Sequence, residues 1–524
     1  MLLKAILKKN ILLGVLFFML INLGHAKAYF KMTEPCLKAQ ALLYKLRISE
    51  ANQILSEEKS KTPENQAIPW LQEYCLYIGL FISENETDYK LQQGNWKGLI
   101  KSVESQPFED AWHRFILSDM YLHRAAMRLK MNDNFAAGSD IKVANSLLKD
   151  NEKLFPNFLP DNKNIGMVSA LFSAIPKNYT WLGNLLGFEG NLEGGLNKIE
   201  LYLQSDLVDK EHQWLKVESA FIYALLQHNF QKKSKAAWLT IAPYTTDFKN
   251  YILLNYMRAT IAGYAGKNEE QITILNAKPS HAQAQPFYYM EYMLGLAKLR
   301  KLDAEANIHL KLFTVKFKGK NYIKSAYRYL AWAELIAGNN SAATTYYSLC
   351  SKHGQTYQEE DKQALNEALD PIKWPKELLE ARLLFDGHYF QQALDKLDKI
   401  QPNTLVNTKH LLEFNYRKAR VQQELKAYGS ALVLYDKVIT LGQEQSYYYA
   451  AYSALQMANI YETLNNKSSA KLYYNKAIAD FPKNKEYVNS IEQKAKSGLK
   501  RIGSWHAFAA IKLTLKPISL KKRL

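Results

Sequence analysis

The sequence contains little cysteine, glycine or proline for its length. Three Cys among 524 residues are too few for a disulfide scaffold, and no Cys-x-x-Cys or His-x-x-x-His spacing offers a metal site. A Cys36–Cys75 disulfide across the first hairpin stays open, whereas Cys350 is expected to be a buried thiol. With 23 Gly and 15 Pro, few points interrupt the helical spacing of apolar residues, and no succession of alternating strands is present. We predict an all-α protein without a metal or cofactor.

A hydrophobic run long enough to span a membrane is also missing. The apolar segment Ile11–Leu23 has 13 residues, fewer than the roughly 20 that cross a bilayer. Three lysines precede it, and Ala26-Lys27-Ala28 follows with small residues at the two positions that a signal peptidase reads. This pattern predicts a cleaved signal peptide over residues 1–28, with an uncleaved membrane anchor as the alternative. Frequent Lys, Asn, Tyr and Ile favour a bacterium, so we expect an exported protein in the periplasm or cell envelope.

Motifs that carry catalysis are missing as well. No nucleophile–base set, recognisable acidic pair or metal cluster emerges from the spacing of the residues. Several glycines lie between Phe155 and Leu203, but no strand precedes them and no Gly-Lys-Ser/Thr follows. That context argues against a phosphate-binding loop. We therefore predict that the protein is not an enzyme.

The sequence does contain a repeat near its C-terminus. Between Trp374 and Asn484, small and aromatic residues recur in the same order in three segments. The clearest copy covers residues 451–484, and its landmark residues are Met457, Ala458, Tyr461, Ala470, Tyr474, Ala477 and Pro482. The two small residues at 458 and 470 let the helices of one hairpin approach closely, the aromatic residues fill the space to the next hairpin, and Pro482 ends the second helix.

Two further copies precede this one. The first contains Ala381, Gly387, Phe390, Ala393, Leu397 and Ile400, and the second contains Ala419, Tyr428, Ala431, Tyr435 and Val438. The small residue that begins each second helix recurs at Ala393, Ala431 and Ala470, at intervals of 38 and 39 residues. This pattern resembles the tetratricopeptide repeat family. The resemblance implies stacked helix-turn-helix units with a concave binding surface.

Weaker copies extend the pattern towards the N-terminus. One unit contains Tyr327, Leu330, Ala331, Gly338, Ala343, Tyr347 and Cys350, a helical pair covers residues 292–313 with its turn near Leu302 and Asp303, and a first candidate contains Ala39, Ala51, Leu55 and Pro63. We predict a tetratricopeptide-type helical-hairpin solenoid with an irregular middle segment. The expected segments are a signal peptide (1–28), N-terminal repeats (29–154), a Gly/Pro-containing insert (155–203), middle repeats (204–373), three tetratricopeptide repeats (374–484) and a basic C-terminal helix and tail (485–524).

The insert resembles a more specific group of proteins. The runs Ala170–Pro176 and Leu185–Asn191, followed by Gly194-Gly195-Leu196, are similar to a segment of the tetratricopeptide family that includes the eukaryotic inclusion-body clearance proteins. In that family a Ser-x-x-Pro helix end leads to a Gly-Phe-x-Gly turn and a Gly-Leu helix start. The block Pro286–Gly338, which includes Tyr292 and Ala331-Trp332, is similar to its second half. The resemblance implies architecture alone, because those proteins are intracellular. We expect the glycines to allow close packing and Pro176 to end a helix.

The candidate binding residues lie on the first helix of each unit, at the positions that line the concave side of a tetratricopeptide array. They are Arg328, Trp332, Arg382, Tyr416, Arg420, Asn459 and Glu462. Arginine beside an aromatic residue is a common composition of protein contacts. We expect these side chains to bind a protein or peptide, and ordinary solvated or packing side chains are the alternative. Arg382 and Arg420 are expected to face solvent rather than the seam between helices.

The net charge of +18 is concentrated at the C-terminus. From Lys483 onwards, eleven Lys or Arg stand against two Glu. Such a tail can contact an anionic lipid or cell-wall polymer, and a solvated helix with a loose end is the other interpretation. Export argues against a nucleic-acid partner, and we expect no transmembrane helix in the mature chain. Two functions follow: a scaffold or adaptor that binds a protein or peptide in its groove, or a binder of an envelope polymer or membrane surface through the tail.

Overall fold

A computed structural model describes residues 28–106, 110–173, 190–206, 213–370, 372–481 and 487–514. Within these ranges the regular secondary structure is helical, apart from one isolated parallel bridge between Tyr29 and Asn65. The all-α prediction is confirmed for this part of the chain, where no helix is long and apolar enough to cross a membrane. The predicted signal peptide, Pro176, Pro482 and most of the run Leu185–Asn191 lie outside the described residues.

The helices have the following bounds in chain order. They are α1 (Glu34–Tyr44), α2 (Ile48–Lys61), α3 (Ala67–Ser83), α4 (Glu86–Glu104), α5 (Ala111–Lys130), α6 (Asn134–Leu154), α7 (Asp161–Phe172), α8 (Leu192–Gln204), α9 (Gln213–Asn229), α10 (Ser234–Ile241), α11 (Ile252–Tyr264), α12 (Asn268–Asn276), α13 (Tyr289–Arg300), α14 (Ala306–Lys316), α15 (Ile323–Ala337), α16 (Asn340–Lys352), α17 (Glu359–Leu369), α18 (Lys376–Asp386), α19 (Phe390–Asp398), α20 (Thr408–Glu424), α21 (Tyr428–Gly442), α22 (Tyr449–Thr463), α23 (Lys467–Ala479) and α24 (Val488–Thr514). Short 3₁₀ helices cover Pro243–Thr245 and Pro402–Thr404.

One backbone feature recurs in the turns between paired helices. Between α15 and α16, Gly338 has a φ of 85°, and the next amide, Asn339 N, donates to Glu334 O at 2.8 Å. This hydrogen bond to the carbonyl five residues earlier is typical of a helix C-terminus. It forms when the residue before the donor, here Gly338, has a left-handed conformation. Other turns with a left-handed residue contain Leu46, Asn132, Lys232, Gly266, Leu302, His388, Lys426 and Asn465. The last three are 38 and 39 residues apart, so the turns keep the period that the sequence predicts.

The helices group into two compact units. The first contains residues up to Glu291 together with 315–321, and the second contains residues 292–314 and those from Tyr322 onwards. Residues 315–321 belong to the first unit, where Glu84 accepts hydrogen bonds from Lys320 N at 3.2 Å and Asn321 N at 3.0 Å. Glu84 also pairs with Lys130 at 2.9 Å. The predicted division into six segments remains a prediction.

Small residues lie at the helix contacts that the repeat predicts. Ala458 of α22 and Ala470 of α23 are completely buried, as is Tyr474. The same holds at the corresponding landmarks of the preceding hairpins, Ala381, Ala393, Ala419 and Ala431. Because a larger side chain would separate the paired helices, these alanines set the distance between them.

All three cysteines are free and buried. The disulfide between Cys36 and Cys75 is therefore not formed, and burial raises the pKa of the Cys75 thiol to about 12, which makes it unreactive as a thiolate. Cys350 is buried as expected, and its Sγ lies 3.2 Å from Lys324 O. The cysteines serve as small core residues.

Candidate functional site

The seven predicted binding residues lie on the first helices of four successive hairpins, all in the second unit. Arg328 and Trp332 are on α15, Arg382 is on α18, Tyr416 and Arg420 are on α20, and Asn459 and Glu462 are on α22. We call the surface formed by these four helices the first-helix surface. The structure brings the first five residues together, whereas Asn459 and Glu462 belong to a different hydrogen-bond network.

Trp332 joins the arginines of α15 and α18. The guanidinium carbon of Arg328 lies 5.2 Å from the centroid of the Trp332 ring, and that of Arg382 lies 4.7 Å from it. The indole Nε1 donates to Glu367 of α17. An aromatic face attracts a cation within about 6 Å, so the fixed indole holds two positive groups from different hairpins.

Phe385 has the same role between α18 and α20. The guanidinium carbons of Arg420 and Arg417 lie 5.0 Å and 5.2 Å from the centroid of its ring. Arg420 Nη1 also donates to Tyr416 Oη at 3.2 Å. These contacts extend the set across three first helices. We call it the arginine–aromatic cluster, and its members are Arg328, Trp332, Arg382, Phe385, Tyr416, Arg417 and Arg420.

The expectation that Arg382 and Arg420 face solvent holds only in part, because both are half-buried, and three other predicted residues are buried. Arg328, Trp332 and Tyr416 are 5%, 1% and 3% exposed, and Arg382 and Arg420 are half-buried. The physical reason is the size of the side chains on adjacent first helices. Trp332 and Phe385 lie against the guanidinium groups and cover them, which spacing along one helix cannot show.

The arginines of the cluster differ in their partners. Arg417 donates to Glu413 Oε1 from Nη2 at 2.8 Å and from Nε at 3.2 Å. Arg328 has Tyr329 Oη as its hydrogen-bond acceptor, at 3.3 Å, and Arg420 has Tyr416 Oη. Arg382 has no hydrogen bond or ion pair with any residue in the described ranges. In those ranges the buried Nε atoms of Arg328, Arg382 and Arg420 have no acceptor.

These groups are charged in the folded protein. Burial acts against the charge of Arg382, but the negative potential of Glu413 and other groups outweighs it and raises the pKa. Burial likewise acts against the carboxylate form of Glu413, which is 1% exposed, but Arg417 and Arg382 outweigh it and hold its pKa below the usual range. One oxygen of Glu413, Oε2, has no hydrogen bond to the described residues. The Nε atom of Arg382, in the cluster, and Glu413 Oε2, beside it, therefore both lack a hydrogen-bond partner in the described ranges.

Asn459 and Glu462 take part in the attachment of α24. Tyr474 Oη lies 2.9 Å from Asn459 Oδ1 and bonds to Glu462. Arg501 of α24 then donates to both oxygens of Glu462, from Nε and Nη2, at 2.8 Å each. The basic C-terminal helix thus packs on the last hairpin, where a carboxylate fixes one of its arginines.

Sequence reasoning missed several members of this surface. Glu413 and Arg417 are four residues apart on α20, a spacing that often marks an ion pair on a helix. Tyr448 and Tyr452 are half-buried, with ring centroids 5.8 Å and 6.5 Å from that of Tyr416. The run of three tyrosines from 447 to 449 is the sequence feature that could have indicated these aromatic contacts.

The first unit contains a second cluster of charged residues. Lys163 Nζ lies 2.7 Å from Asp119 Oδ1 and 2.8 Å from Glu218 Oε2, and His123 Nδ1 lies 2.9 Å from Glu73 Oε2. Each of these five side chains finds its partners inside the protein, and together they connect α3, α5, α7 and α9. This arrangement holds the four helices together. No set of metal-ligating side chains was found among the described residues.

Comparisons with known proteins add little to this geometry. No family model and no curated protein matches the chain. One solved structure that matches is the crystal structure of the APC/C hetero-tetramer Cut9-Hcn1, with 15% sequence identity, coverage of 89% of each chain and a TM-score of 0.26. A likeness at that score carries no argument, and the resemblance to the inclusion-body clearance family remains a prediction. The chain's own stacked hairpins support an all-α helical solenoid, and the resemblance to the tetratricopeptide repeat family also remains a prediction.

Proposed function

We propose that this protein is a non-enzymatic scaffold or adaptor that binds a protein or peptide on the first-helix surface of its second unit. The observation that carries the proposal is the arginine–aromatic cluster, in which Arg328, Arg382 and Arg420 stack on aromatic rings without a carboxylate partner in the described ranges. Arginine, tyrosine and tryptophan dominate the residues that contribute most to protein–protein binding. Here the side chains stack on one another, and an arrangement formed before binding lowers the entropy lost on binding.

The half-buried tyrosines support the same proposal. Tyr448 and Tyr452 continue the aromatic surface from Tyr416 onto α22. Tyrosine offers a large contact area with few rotatable bonds and a hydroxyl that can bond to a peptide backbone. A partner that covers these tyrosines and the arginines of the cluster would contact three successive first helices, α18, α20 and α22, at once.

We also propose that binding takes place outside the cytoplasm, in the periplasm or at the cell envelope. This rests on the charged, apolar and small-residue order of residues 1–28. N-terminal sequencing of the protein recovered from a bacterial host's periplasm would test it. A mature chain that starts at residue 29 supports export, and an intact Met1 in the cytoplasmic fraction contradicts it.

The binding proposal is tested by selecting random 12-residue peptides against the mature chain and measuring their affinities by fluorescence polarisation. We expect the Arg382→Gln/Arg420→Gln variant to bind the selected peptides at least 10-fold more weakly, a loss of about 1.4 kcal/mol. The matched control is Arg114→Gln on α5, which removes a half-buried arginine from the first unit. Equal affinities for the double variant and the wild type would contradict the proposal.

The basic tail supports a second candidate function, the binding of an anionic envelope polymer or membrane surface. Its support is the excess of Lys and Arg after residue 483. Against it, Arg501 is already paired with Glu462. A truncation after Gly503 separates the two functions: loss of binding to vesicles that contain anionic lipid, with peptide binding retained, would assign the tail its own role.

A further inference from the structure

We infer that His123 of α5 is a pH-sensitive lock in the core of the first unit: its protonated ring joins α5 to α3, and loss of a proton to solvent loosens the contact between the two helices. The inference rests on two carboxylates, those of Glu73 and Asp119, each of which faces one nitrogen of the ring. It is independent of what the first-helix surface of the second unit binds.

The first argument is the number of N–H groups that the two carboxylates need. His123 Nδ1 lies 2.9 Å from Glu73 Oε2, and Nε2 lies 3.7 Å from Asp119 Oδ2. A protonated imidazole carries an N–H on each nitrogen and can serve both carboxylates, whereas a neutral imidazole carries only one. After the loss of a proton, one nitrogen therefore turns a lone pair towards a negatively charged oxygen. This repulsion is the physical basis of the lock.

The second argument is that solvent has little access to the ring. His123 is 8% exposed and Glu73 is completely buried. The His123 ring packs on that of Tyr77, with centroids 4.4 Å apart and planes 5° apart, and on that of Tyr74 at 4.8 Å. A carboxylate that loses its N–H donor here cannot exchange it for bulk water, and an unpaired buried charge is costly. The repulsion must therefore be relieved by movement of the side chains or of the helices that carry them.

The third argument is the charge of the surrounding cluster. Lys163 of α7 pairs with Asp119 of α5 and with Glu218 of α9. Among the described residues, the ion-pair partner of Glu73 is His123. With a protonated His123 the cluster has two cations for three carboxylates. With a neutral His123 it has one, and that cation is bonded to the other two acids.

The pKa shifts agree with this geometry. Burial acts against the charged form of His123, but Glu73 and Asp119 outweigh it and raise the pKa of the imidazole above its usual value of 6.5. Burial also raises the pKa of the Glu73 carboxyl, so the folded protein holds protons on this pair more tightly than the unfolded chain does. The stabilisation by His123 is therefore complete below pH 6.5 and is lost as the pH rises through the higher folded value. Burial raises the pKa of Tyr74 and Tyr77 as well, which keeps both rings neutral over this range.

The effect of the proton should concentrate where α3, α4 and α5 meet. Trp70 of α3 donates from Nε1 to Asp119 Oδ2 at 3.1 Å, and Trp96 of α4 donates from Nε1 to Glu73 Oε1 at 2.8 Å. Both indoles thus bond to the carboxylates that the ring faces. A shift of either carboxylate away from a neutral ring would disturb these bonds. The first unit should consequently be held firmly at acidic and neutral pH and open more readily at alkaline pH.

The test measures hydrogen exchange of the mature chain by mass spectrometry between pH 6 and pH 10, with exchange times scaled for the chemical effect of pH on amide exchange. We expect peptides from α3 and α5 to exchange at least about 5-fold faster at the alkaline end, since local opening becomes easier. Peptides from α21 in the second unit should not respond. In His123→Gln, whose side chain does not titrate, exchange in α3 and α5 should be the same at both ends of the range.

His228→Gln is the matched control. His228 of α9 also stacks on a tyrosine, Tyr264, with ring centroids 4.1 Å apart, but its Nδ1 lies 2.8 Å from the hydroxyl of Ser234 instead of a carboxylate. Burial lowers the pKa of this histidine, so it is neutral at both ends of the range. The variant should keep the response of the wild type in α3 and α5.

A second measurement needs no substitution of His123. In protein labelled with ¹³C at histidine Cε1, NMR should show a signal that is displaced by the ring currents of Tyr74 and Tyr77 and titrates above pH 6.5. Tyr77→Leu removes one of these rings and identifies the signal by its change in position. Glu73→Gln should move the titration to lower pH, because the imidazolium loses a negative partner.

Three results would overturn the inference. The first is equal exchange in α3 and α5 from pH 6 to pH 10, and the second is an alkaline acceleration that His123→Gln shows to the same extent. The third is a titration of the His123 signal at or below pH 6.5. If His123→Gln does not fold, the NMR titration decides alone. No result of these experiments bears on the peptide selection, which concerns the second unit.

Discussion

Gly166 of α7 and Gly195 of α8 lie so close together that neither position has room for a side chain. A Cβ atom on Gly166 would be 2.4 Å from Gly195 O, and one on Gly195 would be 2.5 Å from Gly166 O. The obstructing atoms belong to the backbone and cannot rotate away. We therefore predict that Gly166→Ala or Gly195→Ala lowers the free energy of unfolding by about 1–3 kcal/mol through overpacking.

Thermal unfolding of the two variants checks this prediction, and Gly94→Ala is the matched control. Gly94 is inside helix α4, and no atom other than those of its chain neighbours and its own helical backbone lies within 4 Å of its Cβ position. Alanine there should raise stability by roughly 0.5–1 kcal/mol, since it favours the helix. If all three substitutions change the midpoint in the same direction, the close contact between α7 and α8 is wrong.

Ala470 tests the register of the repeat. Its side chain is completely buried where α23 meets α22, so Ala470→Leu should force the two helices apart and cost about 1–3 kcal/mol. Lys471→Leu is the control, because the neighbouring position on the same helix is exposed and surface substitutions usually stay within about 0.5 kcal/mol. Denaturant unfolding gives both values, and an unchanged midpoint for Ala470→Leu would argue against the register.

Asp161 should make stability depend on pH. Burial raises the pKa of this carboxyl from 3.8 to about 7, so the folded state favours the protonated form. Its contribution to stability is complete below the unfolded pKa and is lost as the pH rises through about 7. Asn151 Nδ2 donates to Asp161 Oδ2 at 2.8 Å, a bond that an amide oxygen can also accept.

Replacing Asp161 should therefore increase the free energy of unfolding most at alkaline pH. Asp161→Asn is expected to gain on the order of 2 kcal/mol more, relative to the wild type, at pH 8 than at pH 5, as each pKa unit corresponds to about 1.4 kcal/mol. Unfolding curves at the two pH values measure the difference. Asp150→Asn on the exposed face of α6 controls for the change in net charge. An equal effect of Asp161→Asn at both pH values would mean that this carboxyl is ionised throughout.

Asp361 should stabilise the start of α15 from a neighbouring helix. Its carboxylate, on α17, accepts from Tyr322 N at 2.6 Å and Ser325 N at 2.9 Å, two amides that the helix itself leaves unbonded. Asp361→Ala is predicted to cost about 0.5–2 kcal/mol, the usual range for a lost helix cap. It should also speed hydrogen exchange at the first turn of α15. Glu360→Ala, at the adjacent exposed position, should do neither.

The sequence predicts the helices and their period because those depend on neighbours in the chain. The landmarks Ala458 and Ala470 and the turn near Leu302 are where the repeat places them. The site could be predicted only in part. The contact of Arg382 with Trp332 joins two helices, and the cap formed by Asp361 joins residues 36 and 39 positions apart. Such contacts depend on how hairpins stack, which a single sequence does not show.

The claim that a partner binds the first-helix surface is tested most directly by site-specific cross-linking. Benzoylphenylalanine would replace Tyr452, whose ring lies 6.5 Å from that of Tyr416, or Val433 on α21, which is 70% exposed. Each protein would be irradiated with the peptides selected on the wild type, and the cross-linked fraction would be measured by mass spectrometry. We predict strong cross-linking from position 452, weak cross-linking from position 433, and loss of the signal at 452 when Arg382→Gln is added. Cross-linking that is stronger from position 433 would contradict the account.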